Sequence, residues 1–90
     1  MINRLSKDMS HITGSQIRAA RALLRWRAED LANEAKIGVA TVRRAEAKDG
    51  DHGMTDANES AVRTAFEKAG VIFVAENGEG PGVRLKKSGQ

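Results

Sequence analysis

The chain has 90 residues, which is enough for one small domain. It contains no cysteine, so disulfides, thiolate metal sites and a cysteine nucleophile are excluded. Aromatic residues make up only 3% of the chain, too few for the stacking platforms that bind single-stranded nucleic acid. Residues 1–48 carry a net charge of +5 and residues 49–90 a net charge of −2, giving +3 in total. A basic front half favours a polyanionic partner.

Segments that direct a chain to a membrane are not evident in the sequence. No apolar run approaches the ~18–20 residues that are needed to span a bilayer. The polar segment 1–11 also lacks the apolar core of a signal peptide. We therefore expect a cytoplasmic protein with no membrane partner.

The first helix is predicted over residues 15–26. Residues 1–14 show no periodicity and are expected to form a flexible N-terminal tail, after which Ser15 is a suitable N-cap. Apolar residues then recur at helical spacing, and they are Ile17, Ala20, Leu23 and Leu24. Arginines 18, 21 and 25 lie on the other side and are expected mainly to be solvated, while Trp26 is expected to close the core.

Two short helices follow, and the first has the strongest pattern in the chain. Its apolar stripe has i, i+3, i+4, i+7 spacing and consists of Ala28, Leu31, Ala32 and Ala35. Acidic Glu29 and Asp30 lie in its first turn, where the helix dipole favours negative charge. A third helix is predicted over residues 39–47, with Val42 and Ala45 facing inward and Arg43, Arg44 and Lys48 facing away.

The C-terminal half predicts a fourth helix and a hairpin. Thr55 or Asp56 can cap the helix, which continues to about Ala69 and is followed by Gly70 at the C′ position. Its apolar stripe consists of Val62, Ala65, Phe66 and Ala69. Residues 71–75 form a β-prone run, residues 76–82 are turn-forming, and residues 83–86 alternate as in a half-buried strand.

The spacing of helices two and three is typical of a helix-turn-helix unit over residues 28–46. Such a unit packs two short helices across a tight turn, so it needs a small residue where the backbones meet, and Ala32 suits that position. It also needs apolar anchors facing the body of the domain and an apolar residue in the turn, and Leu31, Val42, Ala45 and Ile37 serve these needs. The outer side of the third helix is then free to enter the major groove of DNA.

These residues carry a family resemblance. The motifs are residues 16–24, Trp26, Leu31, Ala32, Ala35, Ile37, residues 40–44, Glu46 and the tail over residues 69–85. They resemble the lambda-repressor/Cro-like transcriptional regulators, in particular short bacterial members with a fourth helix and a hairpin-like tail. The resemblance implies a mainly α, four-helix domain over residues 15–70, with a β-hairpin and tail over residues 71–90. It also implies sequence-specific binding of double-stranded DNA, usually as a homodimer, in transcription regulation that is most often repression.

Four positions depart from the family pattern. Ala28 stands where members usually have a polar residue that supports a phosphate contact, and Ala45 stands where they usually have a larger apolar anchor. Lys36 occupies a turn position that usually holds glycine with positive φ, which costs a non-glycine residue on the order of 1 kcal/mol. Gly38 replaces the usual Ser or Thr cap of helix three and is weaker by a few tenths of a kcal/mol. The base preference can therefore differ from that of relatives.

Arg43 and Arg44 are the strongest candidates for DNA contact, because the guanidinium fork can bind guanine or a phosphate. Val39 and Ala40 are candidates for contact with a thymine methyl group, and Thr41 for contact with a phosphate. Further phosphate contacts, which position a protein without selecting sequence, are expected around the unit. The full candidate set is Arg27, Ala28, Lys36, Val39, Ala40, Thr41, Arg43, Arg44 and Lys48.

Two alternatives concern the hairpin and the function. The hairpin can pair with a second chain, giving a homodimer on a palindromic site, or it can fold back on the helices. The alternative function is a protein-interaction module that keeps the helix-turn-helix fold without specific DNA binding. An antitoxin or phage regulator is a subtype of the first function.

Other chemistry is not indicated. His11 and His52 are isolated in the sequence and are expected to be surface residues without metal-ligand spacing. Asp49 and Asp51 lack the remaining ligands of a calcium loop, and the glycines at 78, 80 and 82 lack the residues of a phosphate loop. No nucleophile and base can be paired, so no enzyme activity is expected. No cofactor, metal or small-molecule ligand is expected either.

Overall fold

A computed structural model of the protein describes residues 11–87. In this part of the chain, four helices precede a two-stranded antiparallel sheet. The elements are α1 (Gly14–Leu24), α2 (Ala28–Ala35), α3 (Val39–Glu46), α4 (Asp56–Lys68), β1 (Val71–Val74) and β2 (Gly82–Leu85). The predicted mainly α architecture with a C-terminal hairpin is confirmed at this level. The first ten residues of the predicted tail lie outside the described part of the chain.

Helix α1 begins at Gly14 and is capped by Thr13. The Thr13 hydroxyl accepts the Gln16 N–H at 3.0 Å, and Gln16 Oε1 accepts the Thr13 N–H at 2.9 Å. This reciprocal capping box satisfies two backbone donors at the start of the helix. The predicted Ser15 cap is therefore wrong. Ile12 is also buried, so the folded part of the chain begins before residue 15, within the segment predicted to be a tail.

Gly14 allows a close approach between the start of α1 and the chain that follows α3. Its N–H donates to the Gly50 carbonyl oxygen at 2.8 Å. A Cβ at this position would overlap the backbone oxygen of Lys48 and would lie 2.6 Å from that of Ala45. Because both obstacles are backbone, no side-chain rotation relieves the overlap.

Left-handed residues end the first two helices. Arg25 ends α1 and Lys36 ends α2, each with φ of 60°. The N–H groups of Lys36 and Ile37 both donate to the Ala32 carbonyl oxygen, which closes the last turn of α2. The positive φ predicted at Lys36 is confirmed, whereas α1 is shorter than the predicted 15–26.

The core lies where the four helices meet the hairpin. Its largest fully buried side chains are those of Phe66, Ile17, Leu31, Val42 and Val62. The Phe66 ring stacks on Trp26 with centroids 5.7 Å apart and meets Phe73 edge-on at 5.9 Å. Leu23, which was predicted to face the core, is 40% exposed instead. The reason is that the covered side of α1 is formed by Ile17, Ala20 and Leu24, and Leu23 lies at the edge of that side.

The hairpin folds back on α1 and α4. Its strands pair with Val71 opposite Leu85 and Val74 opposite Gly82. The buried Gln16 side chain donates through Nε2 to the Val74 and Gly82 carbonyl oxygens, at 3.2 and 2.9 Å. Gln16 thus caps α1 and fastens the turn end of the hairpin to it. Of the two predicted alternatives for the hairpin, the single chain adopts the one in which the hairpin folds back on the helices.

None of the helices in the part of the chain described above is long and apolar enough to cross a membrane.

Candidate nucleic-acid interface

Helices α2 and α3 form one packed unit around small and apolar side chains. Leu31 and Ala32 of α2 are buried, as are Val42 and Ala45 of α3. Ile37 in the connecting turn is half-buried and packs against the same core. Gly38 caps α3 without a side-chain hydrogen bond, and its carbonyl oxygen accepts the Thr41 and Val42 N–H groups. The residues predicted to hold the unit together therefore do so.

One side of α3 is open along its whole length. Ala40, Arg43, Arg44 and Ala47 are exposed and follow the i, i+3, i+4, i+7 spacing of a single helical face. Val42, Ala45 and Glu46 on the opposite side are buried. Val39 and Thr41 are half-buried at the margin of the open face. The open face of α3, defined by these four exposed residues, can contact a partner without any change in the fold.

The remaining candidate residues border this open face. Lys36 lies in the turn before α3 and Lys48 lies just after its end, and both are exposed. Arg27 and the half-buried Ala28 lie at the start of α2. The neighbouring Glu29 contacts Arg43, so the start of α2 lies beside the open face of α3. The structure thus brings the nine predicted site residues onto α3 and its immediate surroundings.

Two of the candidate arginines pair with carboxylates of the same molecule. Arg43 Nη2 donates to Glu29 Oε2 at 2.7 Å, and both side chains are about half exposed, at 57% and 49%. Arg27 donates to both carboxylate oxygens of Asp30, at 3.1 and 3.4 Å. Arg44 differs from both, because the contact recorded for it among the described residues is a long hydrogen bond to Thr41 Oγ1, at 3.4 Å. Arg44 is the arginine of this surface that is most available to a polyanion.

A largely buried ion pair links α3 to α1. The Arg21 guanidinium donates to both oxygens of Glu46, through Nε at 2.6 Å and Nη2 at 2.7 Å. Its third nitrogen donates to the Trp26 carbonyl oxygen at 2.8 Å. Hydrogen bonding to Glu46 is the main reason why the pKa of Arg21 lies above its ordinary value. Arg21 was expected on a solvated face, and this expectation is wrong.

Arg18 is exposed, as expected, but its guanidinium also has partners in the chain that follows α3. One nitrogen donates to the Glu46 carbonyl oxygen at 2.6 Å, and another donates to Asp49 Oδ1 at 2.7 Å. The Ser15 hydroxyl and N–H both donate to the Asp49 carbonyl oxygen. The start of α1 thus holds the chain that leaves α3. The positive charges at positions 18 and 21 position the open face instead of extending it.

A second polar group lies away from α3, where three side chains distant in sequence meet. Glu59 of α4 accepts the Ile12 N–H at 2.8 Å and bonds to His11 Nδ1 at 2.7 Å. His52 Nε2 lies 3.4 Å from Glu59 Oε2, the oxygen that accepts the Ile12 N–H, and the His52 ring is buried. The prediction that His11 and His52 are isolated surface residues is wrong, since only His11 is exposed and the fold brings both to Glu59.

The hydrogen bonds of His52 argue against its use as a metal ligand. Its Nδ1 accepts the Met54 N–H at 2.8 Å, so the ring hydrogen lies on Nε2, directed toward Glu59. A metal bound at Nε2 needs the opposite tautomer, in which Nδ1 carries the hydrogen and donates it. We therefore interpret the three groups as a polar staple between residues 11–12, the loop after α3, and α4, in which His11 and Ile12 form hydrogen bonds with Glu59 and His52 Nε2 lies close to it without forming one.

This staple predicts a pH dependence of stability that depends on Glu59. Burial raises the Glu59 pKa, but the hydrogen bonds from His11 and Ile12, together with the close approach of His52, outweigh burial and hold it below the ordinary 4.5. A lowered folded-state pKa stabilises the protein above pH 4.5, and this contribution is lost as the pH falls through the folded pKa. The hydrogen bond to Glu59 raises the His11 pKa above 6.5, so its contribution is complete below pH 6.5 and is lost as the pH rises through the raised value.

We expect wild-type stability to fall at both ends of the range, above about pH 6.5 and below about pH 4.5. Glu59→Gln keeps the shape of the side chain, and thermal melts between pH 3 and 9 are expected to be flatter for this variant. Glu67→Gln, on the exposed side of α4, is the matched control and is expected to melt with the wild-type profile. A Glu59→Gln profile parallel to that of the wild type would contradict the staple.

Comparison of the sequence with models of known protein families and with curated proteins finds no match. The resemblance drawn from the motifs therefore stays a prediction.

Proposed function

We propose that the protein is a double-stranded DNA-binding transcriptional regulator of the lambda-repressor type, and that it acts as a repressor. In this proposal, α3 inserts into the major groove. The observation that carries the proposal is the open face of α3, which presents Arg43 and Arg44 while the opposite side is buried. An α-helix with one free, basic face is the element that the major groove admits.

The candidate residues divide into two roles. Arg44 is placed on base edges, where a guanidinium can donate to guanine O6 and N7. Ala40 and the margin residue Val39 provide apolar contact for a thymine methyl group. Lys36, Lys48 and Arg27 border the open face and are assigned to phosphates, which fix the register of the protein on the duplex.

A homodimer on a palindromic site belongs to this proposal. Two copies would place their α3 helices about one DNA turn apart, roughly 34 Å. The hairpin supports this assembly because Ile72 and Leu85 are exposed on its strands, at 36% and 42%. A two-stranded sheet also has outer edges that a second chain can pair with. We place the regulator in the cytoplasm, on the nucleoid when it is bound.

Selection from a random duplex pool tests the proposal. We expect a recurrent sequence of about 5–7 base pairs per half-site to emerge, with affinity that falls steeply as salt rises. The slope of log affinity against log salt is expected to be about −0.9 for each phosphate contacted. A pool that yields no recurrent sequence and no salt-dependent retention, even at low salt, would contradict DNA binding.

A protein-interaction module is the second candidate function. The pairing of Arg43 with Glu29 and of Arg27 with Asp30 favours it, because both carboxylates reduce the positive potential of the surface. The two functions differ in one measurement. A direct titration with duplex DNA at low salt shows saturable binding for the regulator and no binding for the interaction module.

A further inference from the structure

The first turn of α2 places a carboxylate against the open face of α3. Glu29 is the second residue of α2, and its Oε2 accepts a hydrogen bond from Arg43 Nη2 at 2.7 Å. The two residues are 14 positions apart, so the contact depends on the packing of α2 against α3. It directs a negative charge toward the surface that is proposed to bind a polyanion.

The same turn shows this arrangement a second time. Asp30 accepts the Arg27 backbone N–H at 2.7 Å through Oδ2 and a guanidinium hydrogen at 3.1 Å through Oδ1. Backbone N–H groups at a helix N-terminus are donors that phosphates commonly use. Here an internal carboxylate already occupies one of them. Glu29 and Asp30 therefore take up, within the free protein, donors of the kind that contact DNA phosphates.

Glu29 is ionised under the conditions in which DNA binding is measured. Its own backbone N–H and the Arg43 guanidinium lower the pKa of the carboxyl below the ordinary 4.5. A guanidinium nitrogen binds a carboxylate and a phosphate with similar geometry. Arg43 Nη2 must therefore exchange one acceptor for the other when a duplex docks on the open face.

We propose that Glu29 is an intramolecular competitor for Arg43 that lowers the affinity of the open face for any DNA duplex. This inference rests on the proposed function. The competition is moderate because the pair is half exposed, and exposed ion pairs exchange with solvent at little cost. Its consequence is weaker sequence-independent binding, because every duplex that contacts Arg43 must displace the Glu29 carboxylate.

The test is a set of affinities for a random-sequence duplex, measured by fluorescence anisotropy at constant salt. Glu29→Gln is expected to tighten binding about twofold to fivefold, the range for an exposed pair. Glu34→Gln is the matched control, because it removes the same charge from the exposed side of the same helix. In the Arg43→Ala background, the gain in affinity from Glu29→Gln is expected to fall to the level of Glu34→Gln, because the guanidinium for which Glu29 and DNA compete is gone.

A second measurement does not depend on DNA. Titration of the Glu29 carboxyl by NMR is expected to show that Arg43→Ala raises its pKa toward the ordinary value. An unchanged Glu29 pKa in that variant would overturn the inference whatever the DNA result. A normal pKa response with an equal gain in wild-type and Arg43→Ala backgrounds would also overturn it, since simple charge repulsion then explains the gain. Absence of wild-type binding would instead contradict the proposed function.

Discussion

Replacing Arg43 and Arg44 together with alanine is expected to lower the affinity for a selected duplex by about 100-fold or more. A good bidentate contact to a base contributes about 1–3 kcal/mol, and the two arginines carry the largest donors on the open face of α3. Because neither side chain supports the core, the double variant should fold. The measurement is a titration of the selected duplex with wild-type and variant protein at the same salt concentration.

Single variants separate the residues assigned to base contacts from those assigned to phosphate contacts. Arg44→Ala is expected to weaken binding and relax the preference at one base position, whereas Lys48→Ala should weaken binding to all sequences similarly and reduce the salt slope by about one. A double variant of Lys68 and Lys87 removes two positive charges outside α2 and α3, and it serves as the control for net charge. If that control loses as much affinity as the Arg43 and Arg44 double variant, nonspecific attraction explains the binding and the assignment of α3 is wrong.

Truncating Phe66 to alanine is expected to remove about half of the stability of the protein. The side chain is fully buried and contacts the rings of Trp26 and Phe73. Large-to-small changes at such sites cost about 3–5 kcal/mol, because transfer energy is lost and a cavity remains. A domain of this size has roughly 5–10 kcal/mol in all. Urea denaturation followed by circular dichroism measures the loss, independently of the altered surroundings of Trp26.

Ile72→Ala is the matched control for the core substitution. Ile72 lies in β1 one residue before Phe73, but it is 36% exposed, so its truncation should cost less than about 1.5 kcal/mol. The fluorescence of Trp26, the only tryptophan in the chain, provides a second reading for this control. A Phe66→Ala midpoint no lower than that of Ile72→Ala would show that the three rings do not form the centre of the core.

Local patterns in the sequence determined most of the secondary structure. Helical spacing of small and apolar residues predicted α2, α3 and α4 close to their observed bounds, because amphipathic periodicity directly reflects which side of a helix is covered. Gly70 has the positive φ expected of a glycine at a helix end, whereas the positive φ of Lys36 was expected only from the family resemblance. The exposure of Arg43 and Arg44 also followed from spacing, since their neighbours Val42 and Ala45 must face the core.

Only the tertiary structure decided which charged groups are available. Arg21 and Glu46 are 25 residues apart, Arg43 and Glu29 are 14 apart, and His11 and Glu59 are 48 apart. Spacing along a helix predicts which side a residue occupies, but it contains no information on which side chain of another element lies opposite. The sequence therefore determined where α3 begins and ends and on which side its arginines lie. The packing of α2 and α1 against α3 decided that Glu29 pairs with Arg43 and that Arg44 stays open.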